Sequence, residues 1–216
     1  PSNVPAAVQQ AIHCPMEDHR NPTIPDLIQP ITEDLKKILL TKDGKVVFFP
    51  SSGTGCWEAA LQSTLNEGDK VLGASFGQFS MLWLDMCKRL KFEPITMEEE
   101  WGTGANPESY HKHLSEDKNH EIKAVLVCQN ETATGVRSDV AAIRKILDDL
   151  NHPALLMVDG VSSVASYEFK MDEWGVDCIV SGSQKGFMLP AGLGILGVSQ
   201  KAIQAMKDSK YPTCYF

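Results

Sequence analysis

The feature that most constrains this chain is a series of short apolar runs, each followed by glycines or polar side chains. Runs such as 124–128 and 154–158 contain no polar alternation, which is typical of parallel strands buried on both faces. Segments with apolar residues at helical spacing, such as 54–65 and 77–90, lie between the runs. Alternating strands and helices predict an α/β fold with a mostly parallel sheet and helices on both faces.

The predicted strands are 46–49, 70–74, 124–128, 154–158, 178–180 and 194–198. Further helices are predicted after a cap at Ser138 or Asp139 and over 200–207. The first 30 residues are rich in proline, so we expect residues 1–30 to form an extended arm and residues 31–216 to form the domain. Such arms often wrap a partner subunit.

Charge and cysteine usage exclude several classes of protein. The chain of 216 residues has 28 acidic and 20 basic side chains and a net charge of −8, which disfavours nucleic acid and anionic membranes as partners. Six cysteines without a C-x-x-C pair indicate buried thiols in a reducing compartment. No run approaches the roughly 20 apolar residues of a membrane span, and no secretory leader is present, so we expect an intracellular protein.

Chemically useful side chains follow the predicted strands, where ligands bind in parallel sheets. The set comprises a glycine-rich turn, two aromatic rings, a hydroxyl, a carboxylate and an amine: Ser52, Gly53, Thr54, Phe76, Phe79, Thr132, Asp159 and Lys185. The turn suits a phosphate because it opens a helix, although an ordinary capped helix explains it equally well.

Asp159 and Lys185 are more informative together than apart. A buried carboxylate needs a cationic or hydrogen-bonding partner. A lysine for a Schiff base and a carboxylate for a protonated pyridine nitrogen are the groups that pyridoxal phosphate chemistry needs. The His111 and His113 pair lies in a polar segment, so no metal site is predicted.

Several segments together resemble the class-V aminotransferases, and within them most nearly the serine-glyoxylate and alanine-glyoxylate aminotransferases. They are SGTGCWEAAL at 52–61, NETATGV at 130–136, VDGVSS at 158–163, MDEWGVD at 171–177, SGSQK at 181–185 and LPAGLGI at 189–195. The resemblance implies the large domain of a fold-type-I pyridoxal phosphate transferase, with a mostly parallel seven-stranded sheet, acting as a homodimer on amino acids and 2-oxo acids.

The same resemblance assigns roles to residues. Lys185 would bind the cofactor covalently and move the substrate proton, and Asp159 would pair with the pyridine nitrogen. Phe76 would stack on the cofactor ring, with Val161 on its other face and Thr132 bonded to its phenolic oxygen. The phosphate would be held by the remaining members of the motif set: Ser52, Gly53, Thr54 and Gln184.

The expected reaction moves the amino group of serine or alanine to glyoxylate, as in photorespiration, in peroxisomes of eukaryotes or the cytoplasm of bacteria. Family members continue into a smaller domain that binds the substrate carboxylate, so we expect this chain to be a fragment. Cysteine desulfurases are the alternative within the fold, but they typically carry His where Gln184 and Phe76 stand. A non-catalytic protein on the same fold is the other alternative.

Overall fold

A computed structural model describes residues 2–212. Within them the chain forms seven helices and nine strands. In chain order they are α1 (Ala6–Ile12), α2 (Ile24–Ile38), β1 (Lys45–Pro50), α3 (Gly53–Thr64), β2 (Lys70–Ser75), α4 (Gln78–Arg89), β3 (Glu93–Glu98), α5 (Pro107–Glu116), β4 (Ile122–Cys128), β5 (Asn130–Glu131), β6 (Val136–Arg137), α6 (Val140–Asp149), β7 (Leu155–Asp159), β8 (Cys178–Gly182), β9 (Leu193–Val198) and α7 (Gln200–Asp208).

Seven of the strands form one sheet in the order β1-β9-β8-β7-β4-β2-β3. β9 runs antiparallel to both of its neighbours, β1 and β8, and every other pair is parallel. The predicted mostly parallel seven-stranded sheet is therefore confirmed. Six strands, β1, β2, β3, β4, β7 and β8, run in the same direction and end at the same edge, so the segments that follow them lie along that edge.

The core has one layer on each face of the sheet, because neighbouring residues of each buried strand point to opposite faces. In β4, Val125 and Val127 pack on the face covered by α2, α5 and α6. Ala124 and Leu126 pack on the face covered by α3, α4 and α7. Burial on both faces explains why this strand has no polar residue between Ala124 and Cys128.

The expectation of an extended N-terminal arm is wrong for the local conformation. Residues 6–12 are helical and α2 begins at Ile24, before the expected boundary at residue 30. Pro25 stands in the first turn of α2, where a missing N–H costs nothing, while Pro30 is tolerated within the helix. No residue of α1 is buried, so the role of this stretch as an arm stays a prediction.

Other expectations were incomplete. Strand β3 was not predicted, since its sequence begins Glu-Pro and ends with Glu at the edge of the sheet. Asp139 caps α6 by accepting the Ala142 N–H at 3.0 Å, which decides between the two predicted caps. Four cysteines are buried as expected, but Cys14 is exposed, and Cys214 lies outside the described residues.

None of the helices within residues 2–212 combines the length and apolarity needed to cross a membrane. In the same part of the chain, no three potential metal-ligating side chains cluster together.

Candidate active site

A cavity of about 160 Å³ opens at the edge where the parallel strands end. Its walls come from the start of α3, from α4 and from the segments after β4, β7 and β8. The lining residues are Ser52, Gly53, Thr54, Trp57, Phe79, Asn130, Thr132, Asp159, Val161, Ser162, Gln184 and Lys185. Every site residue predicted from the sequence is among them except Phe76.

Within residues 2–212, the start of α3 leaves backbone donors free at this cavity. Ser52 is extended, and its side chain makes no capping hydrogen bond to the helix. The first helical bond runs from the Cys56 N–H to the Ser52 carbonyl, at 3.1 Å. The amides of the first turn therefore face outward as donors for an anion, assisted by the helix dipole.

Gly53 must be glycine because the segment after β7 lies directly against it. A Cβ on Gly53 would stand 2.3 Å from Cγ2 of Val161. The absent side chain lets the helix start approach the segment that carries Asp159, which narrows the cavity at this point.

Asp159 ends β7 at the bottom of the cavity and is only 5% exposed. Its Oδ1 accepts the Val161 N–H at 2.7 Å. Burial raises the pKa of this carboxyl to about 7, and the nearby Glu131 adds to the rise, while the Val161 N–H, Trp57 and Lys185 oppose it. The group can therefore gain or lose a proton near neutral pH, according to what binds beside it.

Lys185 lies in the turn after β8, partly buried at the cavity wall. Within residues 2–212 its amine makes no hydrogen bond or ion pair, and its positive charge lowers the pKa of Asp159. The turn is tight: a Cβ on Gly186 would stand 2.2 Å from the Val164 carbonyl oxygen. The backbone thus holds Lys185 in place beside the cavity, with its amine unpaired within the described residues.

Glu131 of β5, wholly buried, links the segment after β4 to the start of α4. Its Oε2 accepts the N–H groups of Phe79 and Ser80 at 3.0 and 2.9 Å, and its Oε1 accepts that of Ala133 at 3.1 Å. A Cβ on Gly77 would stand 2.2 Å from Cγ of Glu131. This carboxylate caps α4 from a distant part of the chain and so positions Phe79 at the cavity.

Phe76 is wholly buried and is not among the residues that line this cavity, so its stacking on a ligand ring stays a prediction. It continues the two-residue alternation of β2, so its side chain packs in the core beside Leu72 and Ala74. Phe79, the second residue of α4, lines the cavity. The sequence offered both rings, and strand alternation explains why Phe79 and not Phe76 lines this cavity.

The sequence reading missed Trp57, Asn130 and Ser162 as lining residues. Asn130 Nδ2 donates to Ser162 Oγ at 2.8 Å, which joins the segments after β4 and β7. The helical spacing of Trp57 indicated core, and the side chain is indeed 3% exposed. The sequence signal that could have placed Trp57 at the cavity is its position one helical turn after the glycines at the start of α3.

Two buried polar atoms of the lining lack partners within residues 2–212: Nε1 of Trp57 and Oε1 of Gln184. Buried donors and acceptors are nearly always paired, so unpaired ones at a cavity indicate that something else supplies the partner. One donor and one acceptor left unpaired together favour a polar ligand.

Known proteins with similar sequences place this chain in a family. Residues 9–215 match the family Aminotransferase class-V. The chain is 61% identical, over its whole length, to a serine–glyoxylate aminotransferase of Hyphomicrobium methylovorum. It is 50% identical to an L-aspartate–glyoxylate aminotransferase of Paracoccus denitrificans, again over its whole length.

The chain covers 54% of each of these proteins and so spans about half the length of the curated relatives it matches. Among solved structures, an alanine–glyoxylate aminotransferase from Nostoc sp. superposes with a TM-score of 0.89 at 27% identity. That match covers 97% of this chain and 54% of the other, which agrees with the predicted fold-type-I large domain.

Proposed function

This chain belongs to the class-V aminotransferase family, and we propose that it carries the cofactor site of an enzyme that transfers the amino group of serine or alanine to glyoxylate. The observation that carries the proposal is the placement of Lys185, Asp159 and the free helix start of α3 around one cavity. Glycine would be the product from glyoxylate.

The residues present fit pyridoxal phosphate, the cofactor on which class-V aminotransferases generally depend. The amides at Gly53 and Thr54 suit its phosphate, with Ser52 and Gln184 beside them. The unpaired atoms of Trp57 and Gln184 agree with a polar occupant. When bound, the cofactor supplies an electron sink for the negative charge that develops at the substrate Cα.

Lys185 has two tasks in this proposal. Its amine, free of ion pairs within residues 2–212, would hold the cofactor covalently and would take the proton from the substrate Cα. The tight turn at Gly186 restricts the backbone while the side chain moves. One flexible amine can thus serve as both nucleophile and base.

Asp159 holds a proton on the pyridine nitrogen. A pKa of about 7 means that the carboxyl is partly protonated in the free chain. A cation placed against it favours the ionised form, so binding and ionisation support each other. Val161 would contact one face of the ring and Thr132 its phenolic oxygen. Phe79, which lines the cavity, and Phe76, predicted from the sequence, are the two candidates for the other face.

The names of the relatives support glyoxylate more strongly than any one amino donor. Serine and aspartate are each named as donor in close relatives, and alanine in a more distant solved structure, whereas glyoxylate is common to all three. A panel of serine, alanine, aspartate and cysteine with glyoxylate, read out as glycine formed, tests this. Sulfide release from cysteine without glycine formation would favour the desulfurase alternative instead.

A homodimer is part of the proposal. Large apolar side chains on α1 and α2 are exposed, including Ile12 at 55% and Leu27 at 60%. Exposed apolar side chains gain free energy when an interface buries them, and a second copy would supply that interface. The intracellular location, peroxisomal or cytoplasmic, stays a prediction.

Covalent capture tests the cofactor site directly. Pyridoxal phosphate is added, the adduct is reduced with borohydride, and peptides are analysed by mass. We expect one modified lysine, Lys185, and no specific adduct in Lys185→Ala. Lys145→Ala, which alters an exposed lysine of α6 paired with Asp149, is the control and should keep the adduct. Equal labelling of wild type and Lys185→Ala would overturn the assignment.

A further inference from the structure

We propose that Asn130 and Ser162 are positioning residues whose side chains form a clasp that fixes the spacing of two walls of the cavity. One wall carries Thr132 and the other carries Val161. The inference deepens the proposed function and rests on it for its effect on cofactor binding. The clasp itself belongs to the chain, and it is tested both with and without the cofactor.

The clasp consists of two hydrogen bonds between residues that are 32 positions apart. Asn130 Nδ2 donates to Ser162 Oγ at 2.8 Å, and Ser162 Oγ donates to the backbone carbonyl of Asn130 at 2.9 Å. A hydroxyl has one hydrogen to donate, and the Asn130 carbonyl takes it. The hydroxyl therefore only accepts from the side-chain amide, which fixes that amide with Nδ2 toward Ser162.

The clasp lies at the cavity and next to the residues proposed to contact the cofactor. Asn130 and Ser162 both line the cavity, and both are half-buried. Asn130 begins β5, two positions before Thr132, and Ser162 directly follows Val161. The Val161 N–H is itself held by Oδ1 of Asp159 at 2.7 Å. A change in the clasp therefore reaches both walls.

A second pair joins the same two segments on the side away from the cavity. Ser163 Oγ donates to Gln129 Oε1 at 2.6 Å. Gln129 and Ser163 are 3% and 0% exposed, neither is among the residues that line the cavity, and Gln129 lines a separate one. Neighbouring residues of an extended segment point to opposite sides. Ser163→Ala is thus a matched control, because it breaks a link between the same segments that does not face the cavity.

The wall that carries Val161 is also packed against the start of α3. A Cβ on Gly53 would stand 2.3 Å from Cγ2 of Val161, so a small displacement of Ser162 changes this contact and the width of the cavity together. Hydrogen bonds at a half-buried surface contribute modestly to folding. We therefore expect loss of the clasp to weaken ligand binding more than it lowers the free energy of unfolding.

The first test measures the affinity of the 216-residue chain for pyridoxal phosphate by equilibrium dialysis. Asn130→Ala and Ser162→Ala should each lower it about tenfold, as expected for loss of a hydrogen bond. The double variant should lose no more than either single variant, because both substitutions break the same clasp. Ser163→Ala should cost more stability in thermal unfolding, since its hydroxyl is fully buried, and leave the affinity unchanged.

The second test needs no cofactor and follows hydrogen exchange of the Val161 amide by NMR. Asn130→Ala should speed this exchange although Asn130 lies in the other segment, and Ser162→Ala should do the same. Ser162→Cys, which keeps the shape of the side chain but is a weak acceptor, covers the case in which Ser162→Ala does not fold, and the same losses are expected of it.

Additive losses of affinity in the double variant, or an equal loss in Ser163→Ala, would overturn the proposal. So would an unchanged exchange rate of the Val161 amide in Asn130→Ala. Faster exchange in both clasp variants of a chain that binds no pyridoxal phosphate would uphold the clasp and count against the proposed function alone.

Discussion

Asp159 at the carboxyl end of the sheet and Asp177 at its amino end are both almost wholly buried, at 5% and 3% exposure. Asp177 accepts the Leu156 N–H at 2.9 Å and the Ser199 hydroxyl at 2.7 Å, and Lys201 lies at 3.5 Å. Asp159 accepts one backbone N–H and a distant thiol. One end of the sheet satisfies its buried charge internally, and the other leaves capacity for a ligand.

Asp117 extends the contrast at the amino end. Partial burial by itself raises its pKa, but the N–H groups of Ile122 and Glu121 and the ring of His152 outweigh this and lower it. His152 Nε2 lies 3.2 Å from Oδ2 of Asp117, while its Nδ1 accepts the Ala154 N–H. A buried carboxylate whose acceptor positions are all used stabilises the fold. One with unused acceptor positions, such as Asp159 at the cavity, indicates a ligand site.

The largest expected effect concerns Asp159→Asn. The folded pKa of about 7 lies above the ordinary aspartate pKa of 3.8, so between these values the folded chain holds a proton that the unfolded chain has lost. Stability therefore falls as pH rises through this window, by up to about 4 kcal/mol from this group. Asp159→Asn should gain stability relative to wild type from pH 5 to pH 8 in urea unfolding.

If the difference in free energy of unfolding between Asp159→Asn and wild type stays constant from pH 5 to pH 8, the contrast between the two ends of the sheet is contradicted. The same variant should lose affinity for pyridoxal phosphate, measured by equilibrium dialysis, because the ligand cation loses its charged partner.

Asp177→Asn tests the internal pairing at the amino end of the sheet. The amide cannot accept from the Leu156 N–H, the Ser199 hydroxyl and Lys201 as a carboxylate does, so we expect a loss of about 3 kcal/mol at neutral pH. Cofactor binding by the folded fraction should be unchanged. A loss below about 0.5 kcal/mol, the usual range of a surface change, would show that pairing at this end contributes little.

Gly53→Ala tests the close approach at the cavity. The new Cβ overlaps Val161, so the segment carrying Asp159 must move, at a cost of about 2 kcal/mol typical of overpacking. Thermal unfolding measures that cost, and we expect a larger relative loss of pyridoxal phosphate affinity. Gly68→Ala, whose Cβ would meet nothing but whose φ is +85°, controls for loss of a glycine; a similar effect on affinity would refute the argument.

The smallest effect is expected for Ser181→Ala in β8. Its hydroxyl is buried without a partner within residues 2–212, so its removal should change stability by less than about 0.5 kcal/mol or increase it. Ser183→Ala is the matched change, since that hydroxyl donates to the Pro190 carbonyl at 2.7 Å and accepts the Leu193 N–H. It should cost about 1 to 3 kcal/mol, and equal effects of the two would be inconsistent with the pairing described.

The sequence predicted the buried strands and most of the lining of the cavity, because apolar runs and strand ends are local features. It did not predict α1 and most of α2, since prolines in that region are as typical of extended chain as of helix starts. The choice between Phe76 and Phe79 depended on where β2 stops alternating. Trp57 was indistinguishable from a core residue until its neighbours in space were known.

The cap on α4 has a consequence for the order in which the structure assembles. Glu131 reaches the amides of Phe79 and Ser80 from more than 50 positions away along the chain, so the first turn of α4 gains its hydrogen bonds only after the end of β4 has docked. In native-state hydrogen exchange, these two amides should open together with β5 and not with the rest of α4. The wall of the cavity that carries Phe79 would then form late in folding, as a single event that joins two distant segments.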